Sequence, residues 1–160
     1  MDLAAAPALW LLVPAAPIAL WAALSDLARM RIPNRAVLAL AAGFAVVGLL
    51  ALPLPEYGLR WAQGIVVLAL GFAGATLRLF GAGDAKMAAA AAPYVAPGGA
   101  FDFAFLLCVA TLCAFALHRA LRAVPAVRRA SPGWTSWSSP KFPFGVPLAA
   151  ALILHLAGVS

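Results

Sequence analysis

Residues 61–86 read WAQGIVVLALGFAGATLRLFGAGDAK. The stretch from 61 to 80 is almost entirely apolar, and about 20 such residues are what a helix needs to cross the hydrocarbon core of a bilayer. A glycine-rich turn follows directly and leads into Asp84. Carboxylates are costly near hydrocarbon and are rarely kept there without a partner or a task. This segment therefore predicts a membrane helix with a functional acid at its end.

The composition of the whole chain indicates a membrane protein. Of its 160 residues, 66% are hydrophobic and 10% are charged, whereas a soluble protein carries about a quarter charged residues. The formal net charge is +6, but the basic residues lie between apolar runs and form no single patch. We interpret them as signals of membrane topology, and we expect the lipid bilayer as a partner and no nucleic acid.

Apolar stretches of the same kind recur along the chain, and most of them approach the length of a membrane span. They cover residues 3–24, 36–54, 61–80, 86–97, 101–118 and 143–158. The fourth is short and barely crosses a bilayer at about 1.5 Å per residue. We predict an all-α integral membrane protein with about six transmembrane helices. Residues 1–160 are expected to form a single polytopic membrane domain with no separate soluble domain.

The charged residues predict the orientation of these helices. Three arginines, Arg29, Arg31 and Arg35, follow the first stretch and favour a cytoplasmic position for that end, so the N-terminus lies outside. With this orientation, the three cytoplasmic loops contain ten of the eleven basic residues. Asp26 and Asp84 are then the only two acids on the cytoplasmic side.

Asp26 and Asp84 are expected at helix ends and at the same membrane depth, which suggests that they act together. In aspartic proteases, an ionised carboxyl takes a proton from a shared water while a protonated one polarises the peptide carbonyl. The positive end of the following helix should lower the pKa of Asp84, which favours Asp84 as base and Asp26 as acid. Structural roles remain open: Asp84 as a plain helix cap, and Asp26 as an exposed ion pair with Arg29 or Arg31.

Short motifs accompany both aspartates. Gly81 and Gly83 lack a Cβ, which allows a substrate backbone to approach the second carboxylate closely. After the first aspartate the chain reads Ile-Pro-Asn, in which Pro33 ends the connection and Asn34 is placed to cap the second helix. Lys86 is interpreted as a topology charge that is also placed to tune the nearby acid.

Metal or cofactor chemistry is not expected. His118 and His155 lie far apart in the sequence and have no companion ligands at a metal-binding spacing. The sequence contains no zinc, haem or phosphate-loop pattern. We therefore predict chemistry that uses side chains and water alone.

Three motifs in a fixed order give the chain a resemblance to a known family. They are Asp26 followed by Ile32-Pro33-Asn34, Gly81-Ala82-Gly83-Asp84-Ala85-Lys86 after the third stretch, and Phe142-Pro143-Phe144-Gly145-Val146-Pro147 at the start of the last. With them the chain resembles the type IV prepilin leader peptidases over nearly its whole length. It looks most like the short form associated with Flp-type tight-adherence pili.

The resemblance implies a membrane aspartic endopeptidase of the GxGD type. Such enzymes remove the short basic leader from prepilins or pseudopilins, usually after a glycine, at the cytoplasmic face of the bacterial inner membrane. Asp26 and Asp84 are the implied catalytic pair. The implied supporting residues are Pro33, Asn34, Gly81, Gly83, Lys86, Pro143 and Gly145. The identity of the prepilin and the oligomeric state are left open.

Long members of that family carry an N-terminal cytoplasmic segment with paired CxxC motifs, which this sequence lacks. N-methylation of the processed pilin is therefore not expected. Two other functional classes remain as alternatives. A small transporter would use carboxylates as a proton relay, and it predicts acids spaced through the bilayer. A presenilin-like intramembrane protease would hold its first aspartate inside a helix, whereas Asp26 is expected to follow one.

Overall fold

The computed structural model describes residues 5–159, which form α-helices and short 3₁₀ turns and no strand. The α-helices are α1 (Ala5–Arg29), α2 (Asn34–Ala51), α3 (Leu54–Thr76), α4 (Ala82–Ala91), α5 (Ala100–Ala123), α6 (Pro125–Ala130) and α7 (Gly145–Leu156). The 3₁₀ turns cover Ala92–Tyr94, Pro97–Gly99 and Thr135–Trp137. The predicted all-α class is confirmed. Asp2 and residue 3, where the first predicted span begins, lie outside the described residues.

Four helical segments are long and apolar enough to cross a membrane. They are Pro7–Arg29, Asn34–Ala51, Leu54–Thr76 and Pro97–Ala123. Large apolar side chains such as Leu50, Phe72 and Phe101 are exposed on their outer faces. Exposed apolar surface of this extent is unfavourable in water and favourable against lipid. The protein is therefore a multi-pass membrane protein.

Two further helices are short. The 10 residues of α4 and the 12 residues of α7 span about 15 and 18 Å at 1.5 Å per residue. The hydrocarbon core of a bilayer is about 30 Å thick. The fourth predicted span is thus short, as expected, and the last one is shorter than its apolar run. The count of six crossings stays a prediction.

The first helix extends further than its apolar run. α1 continues to Arg29, and Met30, with φ 51°, ends it in the left-handed conformation after its N–H bonds the carbonyl of Asp26 at 2.8 Å. The polar residues after the apolar run continue the hydrogen-bonded helix. Hydropathy therefore located the end of the apolar run and not the end of the helix. Asp26 therefore lies in the last turn of α1. The expectation that it follows the helix is wrong, and the contrast with presenilin-like proteases that depended on it is lost.

The core lies where α1 packs against α2 and α7. Leu11, Ala15, Ala19 and Ala22 are buried on one face of α1 at intervals of three or four residues, the spacing of a single helix face. The small alanine side chains let neighbouring helices come close. Asp26 continues this stripe four residues after Ala22. The same face that packs the core therefore presents the carboxyl group to α7.

Glycines bring α4 against α3. A Cβ on Gly64 would lie 3.0 Å from Cγ of Pro93, and a Cβ on Gly71 would lie 3.0 Å from Cβ of Ala85. Only glycine permits this approach, so the backbones of the two helices are in close contact. α2 and α7 also contact α4. The short helix is thereby enclosed by longer neighbours.

Candidate active site

Asp26 is buried and bonds to the first residue of another helix. Only 5% of the surface of Asp26 is exposed, and its Oδ2 accepts a hydrogen bond from the backbone N–H of Gly145 at 2.8 Å. The first N–H groups of a helix have no partner within the helix, and the residue before α7 supplies no side-chain cap. Asp26 therefore caps α7 from α1 and faces the positive end of its dipole.

Gly145 allows this contact because it has no side chain. A Cβ at this position would lie 3.0 Å from Oδ2 and 3.1 Å from Cβ of Asp26. The sequence motif pointed to Gly145 only through the family resemblance. Nothing local in the sequence signals which residue will meet Asp26, because the two are 119 positions apart.

Asp26 is not an exposed ion pair with the arginines that follow it. Arg29 and Arg31 are exposed, and the one ion pair within 4 Å among residues 5–159 joins Glu56 to Arg60 at 2.7 Å. The backbone turns after Arg29, and the hydroxyl of Ser25 bonds the carbonyl of Arg31 at 3.0 Å. The ion-pair alternative for Asp26 is therefore wrong.

Asp84 lies in the first turn of α4 and is partly buried. Its Oδ2 accepts a hydrogen bond from the backbone N–H of Gly81 at 3.2 Å, so it caps the helix from within the first turn. Burial raises the pKa of Asp84 above its ordinary value, and the Gly81 N–H and the Lys141 ammonium lower it by less. The expectation of a lowered pKa is wrong, because desolvation outweighs the helix end.

Ile32 connects the surroundings of the two aspartates. The Ile32 side chain is buried. Its Cβ would lie 3.7 Å from a Cβ added to Gly83, and its Cδ1 would lie 3.3 Å from a Cβ added to Gly145. Gly83 precedes Asp84, and Gly145 bonds Asp26. The two carboxyl groups also interact through their charges. We call the end of the bundle that carries both of them the aspartate end.

The two carboxyl groups are bonded in the same way. In each, Oδ2 accepts a backbone N–H, and no donor within residues 5–159 bonds Oδ1. One oxygen therefore orients the group while the other is available to water or substrate. A free oxygen on each member is one feature that a water-activating carboxyl pair needs.

Asn34 has a different role from the predicted one. The N-cap of α2 is Pro33, and no side chain caps this helix. The Oδ1 of Asn34 instead accepts a hydrogen bond from the ammonium of Lys86 at 3.5 Å. The capping interpretation of Asn34 is wrong. The contact links the start of α2 to the helix that carries Asp84.

The segment before α7 brings a basic residue to the site. Pro143 is buried, and its carbonyl accepts the N–H of Val146 at 3.3 Å, which sets the first turn of α7. Two residues earlier lies Lys141, whose ammonium lowers the pKa of the Asp84 carboxyl. Lys141 appeared in the sequence only as a topology charge. The sequence signal that could have placed Lys141 at the site was its position directly before the proline motif.

Aromatic stacking holds the loop that carries Lys141. His118 of α5 stacks on Trp137 with ring centroids 5.1 Å apart, and it meets Phe142 edge-on at 5.8 Å. The hydroxyl of Thr135 bonds the carbonyl of Ala28 at the end of α1 at 3.0 Å. Residues 131–142 are therefore attached to α5 and α1 at the aspartate end.

The sequence profile of the type IV leader peptidase family matches residues 6–116, more than two thirds of the chain. The match includes Asp26 and Asp84 and ends before the Pro143 motif. Neither the curated proteins nor the solved structures gave a match. The buried carboxyl groups, the multi-pass helical fold and the match over most of the length lead to one conclusion: this chain belongs to the type IV leader peptidase family.

Proposed function

We propose that this family member is an aspartic endopeptidase that removes the basic leader from Flp-like prepilins or pseudopilins. Membership in the family makes it a leader peptidase in general terms. The observation that carries the finer proposal is the matched bonding of Asp26 and Asp84, each with one oxygen on a backbone N–H and one oxygen free. The proposed site is cytoplasmic, at the bacterial inner membrane.

The proposed reaction uses the two free oxygens. An ionised Asp84 takes a proton from water, the water oxygen attacks the scissile carbonyl, and a protonated Asp26 donates to the carbonyl oxygen. The C–N bond then breaks, and the leaving amine takes a proton from the pair. Burial raises the pKa of Asp84, and the Lys141 ammonium opposes this rise and favours the ionised form that a base requires.

The membrane environment supports a substrate with an apolar helix. A prepilin helix of about 20 residues lies in the bilayer and holds the start of the mature pilin at membrane depth. Confinement to the membrane positions the scissile bond and replaces part of the entropy cost of binding. The basic leader is expected to meet anionic lipid, because the cytoplasmic loops are themselves basic.

Two substitutions test the proposal. Asp26→Asn and Asp84→Asn keep the shape of the side chain and a hydrogen-bond acceptor but remove the acid, so each should abolish leader removal while the protein still accumulates in the membrane. The assay is co-expression with a prepilin and detection of leader loss by gel shift. Asp102→Asn, at an exposed position in the first turn of α5, is the matched control and should cleave normally. Cleavage by either active-site variant contradicts the mechanism.

A further inference from the structure

At the end of the bundle opposite the aspartate end, α3 bonds the segment that directly follows α4, which is the 3₁₀ turn Ala92–Tyr94 and Val95. The amide nitrogen of Gln63 donates to the carbonyls of Ala92 at 2.8 Å and Val95 at 3.3 Å. The guanidinium of Arg60 donates to the carbonyl of Tyr94 at 3.2 Å. We call these three bonds the α3 clamp.

The clamp has a physical cause in the shortness of α4. The last carbonyls of a helix have no partner within the helix, and hydrocarbon supplies no water to bond them. The 10 residues of α4 end at Ala91, well before a full span does, and the carbonyls of Ala92, Tyr94 and Val95 that follow find their donors in α3. Arg60 is 7% exposed and is held by two hydrogen bonds to Glu56, at 2.7 and 3.1 Å. The ion pair thus fixes the guanidinium in the clamp.

The remaining contacts between α3 and α4 are van der Waals packing, with no further side-chain hydrogen bond between the two helices among the described residues. They join Gly64 and Gly71 to the small surfaces around Ala85 and Ala89, and such smooth interfaces between membrane helices provide packing without directional bonds. Hydrogen bonds are directional and weaken steeply when misaligned. The clamp therefore supplies the contacts along α3 that resist a shift of α4 along its axis.

We propose that Gln63 and Arg60 are positioning residues for Asp84, because they fix the axial position of the short helix that carries it. This inference rests on the proposed function. A shift of α4 by one residue moves Asp84 by about 1.5 Å, and a misplacement of about 1 Å costs up to about a hundredfold in rate. The clamp lies away from the aspartate end, so its loss is expected to act through the position of Asp84 and not through the contacts at the scissile bond.

The test uses the full chain in vesicles of phosphatidylethanolamine and phosphatidylglycerol. The probe is a synthetic peptide with a basic leader, a glycine and an apolar helix of about 20 residues. Gln63→Met keeps the length of the side chain and removes the donor. It should lower kcat by about 10- to 100-fold and leave KM within about twofold. It should also displace the acidic limb of the pH profile, because a shift of α4 changes the surroundings of Asp84. Leu68→Met, at an exposed position of α3, is the control and should match the wild type.

Arg60 provides a second variant pair. Arg60→Lys keeps a cation and a donor for Tyr94, so it should retain more kcat than Arg60→Met, which keeps neither. Helicity by circular dichroism reports whether each variant is folded. A fall in activity that only parallels a loss of folded protein, with an unchanged pH profile, overturns the proposal.

The outcome is separable from that of the proposed function. Wild-type kcat and pH profile in Gln63→Met overturn the positioning role, even if Asp84→Asn is inactive in the same vesicles. Cleavage of the probe by Asp84→Asn overturns the peptidase mechanism itself. The inference holds only if Asp84→Asn is inactive and Gln63→Met has a lower kcat with the displaced pH profile.

Discussion

Replacing Gly145 by alanine tests whether the bond between α7 and Asp26 supports catalysis. The new methyl group would lie 3.0 Å from Oδ2 of Asp26, 3.1 Å from its Cβ and 3.3 Å from Cδ1 of Ile32. Ordinary contact begins at 3.4 Å. The carboxyl group must therefore move by about 0.4 Å or more, or α7 must move away from α1.

The size of the effect follows from the hydrogen bond that is strained. The bond from the Gly145 N–H to Asp26 is 2.8 Å long, and a bond to a neutral carboxyl group, the protonated form proposed for Asp26, contributes about 0.5–1.5 kcal/mol. If Gly145→Ala removes it, kcat should fall by about 2- to 12-fold, at about 1.36 kcal/mol per factor of ten. The free energy of unfolding should fall as well, because crowding costs about 1–3 kcal/mol, of which alanine regains up to about 1 kcal/mol over glycine in a helix.

The assay is the rate of leader removal from a prepilin by the purified protein in vesicles, with thermal unfolding measured in parallel. Gly58→Ala is the matched control, because Gly58 lies in α3 with nothing within 4 Å of its added Cβ. It should cleave at the wild-type rate. If Gly145→Ala also cleaves at that rate, Asp26 does not depend on this bond, and the reasoning is refuted.

Three further predictions concern Asp84 and its helix. Lys141→Met removes a cation that lowers the pKa of Asp84, so the acidic limb of the pH–kcat profile should move to higher pH; an unmoved limb contradicts the contact. Burial raises the pKa of Asp84 in the folded state, so the folded state binds the Asp84 proton more tightly than the unfolded state does. The stability of the wild type therefore falls as the pH rises from the unfolded-state pKa of Asp84 through its folded-state pKa. Asp84→Asn does not titrate, so its Tm relative to the wild type should increase between about pH 3 and pH 7, and a constant difference contradicts the raised pKa. Gly64→Ala would place its Cβ 3.0 Å from Pro93 and 3.2 Å from a backbone oxygen of α4, so thermal unfolding should show a loss of about 1–3 kcal/mol, whereas Gly58→Ala should show none.

Much of the fold is predictable because hydropathy and charge are local properties. The runs that became α1, α2, α3 and α5 are each long enough to be recognised alone. The ends of helices are less predictable. α3 begins at Leu54, well before the apolar run at 61, with Pro55 and Glu56 in its first turn, because proline and acids are favourable there even where hydropathy is low. The same limit placed Asp26 beyond α1 instead of inside it.

The candidate site was predictable only in part. Asp26 and Asp84 stood out because an acid in an apolar chain is costly, and the charge distribution assigned both to one side. The pKa of Asp84 was predicted with the wrong sign, because burial depends on which helices surround it. The capping role predicted for Asn34 was also wrong, since its side chain accepts a hydrogen bond from Lys86, 52 positions away in α4.

The sequence by itself determined the class of protein, the family and the two acids, because composition, charge order and short motifs are readable without coordinates. Only the tertiary structure decided how the acids are held. The Gly145 N–H donates to Asp26 across 119 positions, Ile32 lies beside both Gly83 and Gly145, and α3 bonds the carbonyls that follow α4. These contacts depend on the packing of distant helices, and packing is a property of the whole chain that no local pattern encodes.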